Sequence, residues 1–334
     1  MINIIIVFFI SGLTLNTKNF GAALKFWPGI LWGFITILAV TPCLGFALNA
    51  IPFTPTEFAA GLAIFSAAPT TLGVGAALVR QSKGNDALAL LLLIGTNLIA
   101  VITLPLWLTA LIGSSPEYNL DFDLGQMIWQ LMVTVFAPAL VGKVLRELIP
   151  AVARFATKYK EPLSMFSVAN LAFIVWQTLS AAQNLLLEQQ FVNILYIIIA
   201  AVLQHAIYLV FNAGMVHYVF RMPIEEGVAV TIMGSQKSAP VAVTAILYLT
   251  DSVPTQGLLS VPCIVGQLVQ IFMGAAIAPW IAKKVVKTQA KRKIVAEDAE
   301  TVAVADGLAA AAEETMENRQ SKDVSNSGTV ELNK

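Results

Sequence analysis

The chain has 334 residues, of which 57% are apolar and 12% charged, and its formal net charge is zero. A soluble domain carries about twice that charge, and nothing in the sequence has the basic signature of a nucleic-acid partner. Many apolar runs approach the roughly 20 residues that cross a bilayer. Lipid offers the backbone no hydrogen bonds, so each run must be a helix. A β-barrel needs alternating ten-residue segments, and the runs do not alternate. The composition therefore predicts an all-α, polytopic, integral membrane protein whose first partner is the lipid bilayer.

In chain order, the sequence enters the apolar run Ile4–Ile10 almost at once. It lacks the basic flank and small-residue cleavage site of a signal peptide. Nine spans are predicted, at 2–14, 28–50, 57–80, 86–112, 125–149, 162–184, 191–219, 224–250 and 255–282. The loops between them alternate in charge. Lys18 and Lys25, then Arg80 and Lys83, then Lys143, Arg146, Arg154, Lys158 and Lys160, then Arg221, fall on one side. Glu117, Asp121, Asp123, Glu188 and Asp251 fall on the other. The basic side is cytoplasmic by the positive-inside rule. Residues 1–285 form the expected transmembrane domain. The polar segment 286–334, acidic and Ala-rich from Glu297, is expected to be a disordered tail. Cys43 and Cys263 lie inside apolar runs and say nothing about redox compartment.

The third and eighth spans are interrupted. One reads Ser66-Ala-Ala-Pro69-Thr-Thr-Leu-Gly73, the other Gly234-Ser-Gln-Lys237-Ser-Ala-Pro240. Proline removes an intrahelical donor and clashes with the preceding turn. Non-helical backbone at membrane depth is tolerated only inside protein or beside water. Each interrupted span precedes a long helix with an internal glycine and a Pro-aromatic end, Gly95 to Pro105-Leu-Trp107 and Gly266 to Pro279-Trp280. Paired interruptions in matching places point to a transporter site between two inverted repeats, about 1–112 and 125–285. The breaks are expected to cross within about 15 Å, roughly ten residues of helical rise. The broken span is third of four in the first half and fourth of five in the second, so one helix is expected upstream of Met1. Asn97, Gln267 and Gln270 are candidate cavity-lining groups, with the two glutamines on one face at i,i+3. His205 reads as a hydrogen-bond partner between helices rather than a proton relay.

Four motifs carry a resemblance. They are Phe9-Ile-Ser-Gly-Leu-Thr-Leu15, Gly61-Leu-Ala-Ile-Phe-Ser-Ala-Ala-Pro69-Thr-Thr-Leu72, Gly84-Asn85 and Gly234-Ser-Gln-Lys-Ser238. In these the chain resembles the bile acid:sodium symporter family, on the branch with the plant plastid BASS-type carriers and solute carrier family 10 member 7. The resemblance implies a ten-helix fold with panel and core domains, in which the two broken helices cross in the core. The chain would then lack the first helix. Sodium-coupled members carry Glu-Val-Gly-Met-Gln-Asn in the second broken helix; here the run is Ile232-Met233-Gly234-Ser235-Gln236-Lys237. Gly and Gln match, but the bridging glutamate becomes Ile232 and the asparagine becomes Lys237. The Ser-Asn pair of the first broken helix falls on Val74-Gly75 or Gly75-Ala76, and two hydroxyl ligands fall on Ala89 and Leu93. Two sodium ions are not expected with this ligand set, and no cofactor or metal is otherwise implied.

Lys237 is the only basic residue in the interior of a predicted span, and no Asp or Glu lies at its depth. Such a lysine costs about 2.5–3.5 kcal/mol on insertion scales. Carbonyls freed by the break, with Ser235, Gln236 and Ser238, are expected to hold it in place of a sodium ion. An anionic substrate would also neutralise it. A half-helix starting near Pro69, Thr70 and Thr71 would aim its positive end at the same region. The expected function is secondary transport of a small organic anion or metabolite by alternating access, with the coupling ion open. The alternative is a non-transporting regulatory membrane protein with the same fold. No nucleophile–base pair, metal cluster or phosphate loop argues for an enzyme. The resemblance suggests a plastid envelope, with the plasma membrane as the alternative.

Overall fold

The computed structural model describes residues 2–14, 24–71, 73–113, 123–181, 183, 191–249 and 252–327. Among these the regular structure is entirely helical. The helices are α1 (Ile2–Thr14), α2 (Leu24–Asn49), α3 (Glu57–Ala67) and α4 (Val74–Gln81). They continue with α5 (Asp86–Ile112), α6 (Leu124–Leu148), α7 (Pro150–Lys158) and α8 (Lys160–Ala181). The last are α9 (Phe191–Val219), α10 (Ile224–Ser235), α11 (Ala239–Leu249) and α12 (Val253–Ser327). Five are long and apolar enough to cross a membrane: α2, α5, α6, α9 and the Thr255–Val295 stretch of α12. The chain is a multi-pass membrane protein. Lys18, Glu117, Asp121, Glu188 and Asp251, which entered the orientation argument, lie outside the described residues.

Local chemistry places the helix starts. The Asn85 side chain caps α5 by accepting from Leu88 N, and Asp123 caps α6 by accepting from Gly125 N and Gln126 N. The basic connection after the fifth predicted span contains a helix, α7, that its amphipathic spacing could have revealed. From residue 286, where the sequence predicts disorder, the structure describes helix as far as Ser327. Runs such as Leu308-Ala-Ala-Ala-Ala-Glu-Glu314 are strong helix formers. The chain divides into two units, Met1–Ala282 and Lys283–Lys334.

Within the first unit, two apolar clusters lie on either side of the interrupted spans. One joins α3 to α11 through Ala63, Ile64, Phe65, Ala242 and Ile246. The other joins α4 to α10 through Leu78, Val79, Ala229, Val230 and Met233. The first half of each interrupted span thus packs with the second half of the other, the arrangement of two crossing helices. Elsewhere α1 lies directly against α6. A Cβ on Gly12 would sit 2.0 Å from the Ala139 carbonyl oxygen, so the backbones touch there. Close contact of this kind is how helices associate in lipid, which provides no hydrophobic drive between them.

Candidate functional site

The first break lies between α3 and α4. Ala68 precedes Pro69 and is extended, at φ −62° and ψ 148°, as a residue before proline prefers. Three successive carbonyls leave the helical ladder, and each meets a donor from elsewhere. Ala68 O accepts from Lys237 Nζ at 2.9 Å, Pro69 O from Ser238 N at 2.9 Å, and Thr70 O from Asn97 Nδ2 at 3.0 Å. The next helix starts at Val74, a turn later than the Thr70–Thr71 start that the sequence suggested. Thr70 and Thr71 are buried in the break itself.

The second break lies between α10 and α11. Gln236 is extended, at φ −87° and ψ 135°, and Pro240 occupies the first turn of α11, where its missing N–H costs nothing. This break presents donors. Lys237 N donates to Gln270 Oε1 at 2.8 Å, Ser238 N to Pro69 O, and Ala239 N to Gln267 Oε1 at 3.1 Å. Gln267 and Gln270 of α12, on one face as expected, bind the freed N–H groups. Gln236 Nε2 donates to Gln270 O at 3.3 Å. The Ser238–Pro69 bond joins the two breaks directly.

Lys237 is fully buried. Its ammonium donates to Ile37 O at 3.0 Å and to Ala68 O at 2.9 Å. The Tyr208 ring lies 5.8 Å away, within cation–π range. The Ile37 carbonyl has no backbone partner for a traceable reason. Residues Thr36–Val40 form a π turn, so the Thr41 N–H goes to Thr36 O. In that register Ile37 O would take the N–H of residue 42, and Pro42 has none. The sequence expected carbonyls of Lys237's own break, with Ser235, Gln236 and Ser238, around the ammonium. The carbonyls come instead from α2 and from the other break. Ser235 Oγ turns back to Thr231 O at 2.7 Å.

A polar stripe on α9 backs the lysine. Tyr208 Oη donates to Thr41 O at 2.9 Å, and Gln204 Nε2 to Tyr208 Oη at 3.2 Å. Asn212 Oδ1 accepts from Thr36 Oγ1 at 2.8 Å. Gly234 is required here, because a Cβ would come within 2.9 Å of Asn212 Oδ1. Sequence reasoning missed Tyr208 and Asn212, although Gln204, Tyr208 and Asn212 recur every four residues through an apolar helix. His205 Nδ1 is 3.1 Å from Ser235 O. A carbonyl only accepts, so Nδ1 carries a proton in this contact. A cavity of about 10 Å³, room for one water, is lined in part by Ser82, His205 and Gln236.

Several buried polar atoms around the crossover have no hydrogen-bond partner: Thr70 Oγ1, Asn97 Oδ1, Gln236 Oε1, Ser238 Oγ and Gln267 Nε2. Native interiors rarely leave such groups unpaired, and a bound water, ion or ligand group can pair them. Ala89, Leu93 and Ile232, three positions at which the family resemblance leads one to expect sodium ligands, are apolar and buried.

A profile of the SBF-like CPA transporter family matches residues 1–283. A probable chloroplastic sodium/metabolite cotransporter, BASS4, of Oryza sativa subsp. indica is 35% identical over 284 residues, covering 82% of this chain and 66% of that protein. Its counterpart in Arabidopsis thaliana is 33% identical over 277 residues, covering 81% of this chain and 63% of that protein. Sodium/bile acid cotransporter 7 of Xenopus tropicalis is 23% identical over 305 residues, covering 86% and 83%. The chain thus spans about two thirds of the length of its BASS4 relatives. By the length and degree of these matches, the chain belongs to the SBF-like CPA transporter family.

Proposed function

We propose that this protein is a secondary carrier of a small organic anion or metabolite, working by alternating access without the two-sodium site of sodium-coupled members. One observation carries the reading. A fully buried ammonium, Lys237, sits at the meeting of two broken helices, among buried polar atoms that lack partners. In this reading nine spans form a panel and a core, with repeats about 1–112 and 125–285. The core carries Pro69, Thr70, Thr71, Asn97, Ser235, Gln236, Lys237, Ser238 and Gln267. Lys237 holds the crossover as a bound sodium ion otherwise would. The unpaired atoms of Thr70, Asn97, Gln236, Ser238 and Gln267 meet the substrate when the core moves. The names of the BASS4 relatives support a metabolite as cargo and a plastid envelope as the membrane.

The test is uptake into proteoliposomes with sodium, proton and voltage gradients varied one at a time. Uptake of an organic anion that is indifferent to sodium is expected. Uptake that rises steeply with a sodium gradient at fixed pH and voltage defeats the sodium-free reading.

A second reading has its own observation. Thr70, Ser235, Lys237 and Ser238 are all fully buried, and the cavity beside Gln236 has room for about one water. A non-transporting regulatory protein would keep such a closed crossover permanently, whereas a carrier closes it in one state of its cycle. Cysteine cross-linking across α4 and α10 that leaves every uptake signal unchanged favours the regulator.

A further inference from the structure

The corner between α6 and α7 has a composition that the crossover does not explain. α6 is long and apolar enough to cross a membrane and ends at Leu148, and α7 begins at Pro150. Nine residues rise about 13.5 Å, too little to span, so α7 lies at the membrane surface where α6 emerges. Its inner side is Ala156, which is buried, with Val152 and Ala153 half-buried. Outward it shows two adjoining stripes. Arg154 and Lys158, at i,i+4, are exposed. Phe155 and Tyr159, also at i,i+4, are 51% and 40% exposed, with ring centroids 5.0 Å apart. Lys158 Nζ lies 5.3 Å from the Tyr159 ring centroid. Leu148, 74% exposed, and Ile149, 41% exposed, continue the apolar stripe at the corner.

A third cation is fixed beside these. The Arg146 guanidinium donates through Nη1 to Leu13 O at 2.6 Å and through Nη2 to Thr157 Oγ1 at 3.2 Å. Thr157 shares the α7 surface with Arg154 and Lys158, at i+3 from one and next to the other. Between Lys143 and Glu161 there are five basic residues and two acidic ones, and one acid, Glu147, pairs with Lys143. Aromatic rings beside cations on a short surface helix match the boundary between acyl chains and headgroups.

We infer that Arg146, Arg154 and Lys158 form a binding site for the phosphate headgroup of an anionic lipid, with Phe155 and Tyr159 seated in the acyl layer beside it. Guanidinium groups take phosphate oxygens in pairs, and Arg146 is already held in position by two bonds. The occupant is a lipid rather than an acidic protein segment, because the cations alternate with exposed rings on a helix that the membrane surface must meet.

The test uses the full chain in nanodiscs of phosphatidylcholine with or without phosphatidylglycerol. Native mass spectrometry counts retained lipid, and a thermal scan reads stability. Wild type should retain phosphatidylglycerol under activation that strips phosphatidylcholine, and should melt higher in the anionic discs. The double variant Arg154→Gln with Lys158→Gln should bind it on the order of 30-fold more weakly, from about 1 kcal/mol per surface cation. It should lose the thermal gain while still folding in phosphatidylcholine. The swap Arg154→Lys with Lys158→Arg keeps both charges and should restore retention. Equal retention of the two lipids by wild type overturns the site. So does full retention by the double variant, or an acidic peptide displacing the lipid while leaving the thermal gain intact.

Discussion

The two breaks differ in kind. The first, at Ala68–Thr70, offers oxygens: three consecutive carbonyls leave the helical ladder, and each is met by a donor. The second, at Lys237–Ala239, offers hydrogens: three consecutive N–H groups and one ammonium, each met by an acceptor. A broken helix in lipid must satisfy every group it releases. Here one break supplies part of what the other lacks, through Ser238 N to Pro69 O and Lys237 Nζ to Ala68 O. The glutamines of α12 and Asn97 of α5 complete the pairing. The crossover therefore takes a fixed donor at its centre, and Lys237 is one.

Removing that donor should have the largest effect. Lys237→Ala leaves Ala68 O unpaired and Ile37 O with only Thr41 Oγ1, at 3.3 Å. That costs about 1–3 kcal/mol per unmet group. It also removes a buried ammonium that costs about 2.5–3.5 kcal/mol at membrane depth. Stability should change little, while uptake in proteoliposomes falls to background. Lys237→Gln should behave nearly the same, and neither should gain dependence on sodium. Full uptake by Lys237→Ala would reduce the residue to a packing role.

Gln270→Leu comes next, because it strips the acceptor from a buried backbone N–H at the second break. It should destabilise by about 1–3 kcal/mol, read as a lower midpoint in a thermal scan in detergent. Asn97→Leu is the counterpart at the first break. Thr70 O loses its donor, but a carbonyl with two lone pairs tolerates this better than an N–H, so about 1 kcal/mol is expected. If the two variants melt alike, the contrast between donor and acceptor breaks carries no energetic weight.

Tyr208→Phe should have the smallest effect. It deletes the hydroxyl that reaches Thr41 O but leaves the ring beside the ammonium. About 0.5–1.5 kcal/mol should be lost, with uptake largely kept. Tyr208→Leu removes the ring as well and should cost about a further 0.5–2 kcal/mol. Measuring the pair of variants isolates the ring's share of the lysine site.

Much of this was legible in the chain itself. Apolar run length dictates helices in lipid, and the prolines at 69 and 240 with the glycines at 73 and 234 marked both interruptions. Lys237 stood out because a cation inside an apolar run is expensive wherever it points. The spacing of Gln267 and Gln270 placed them on one face, though not what they would accept. The tertiary structure alone decided the lysine's partners. Ile37 O becomes available through the joint effect of a π turn and Pro42, and it reaches Lys237 across 200 positions of sequence. Local propensity fixes where a helix must stop. Which distant donor meets each freed carbonyl depends on how the helices pack, and that is settled only when all of them are in place.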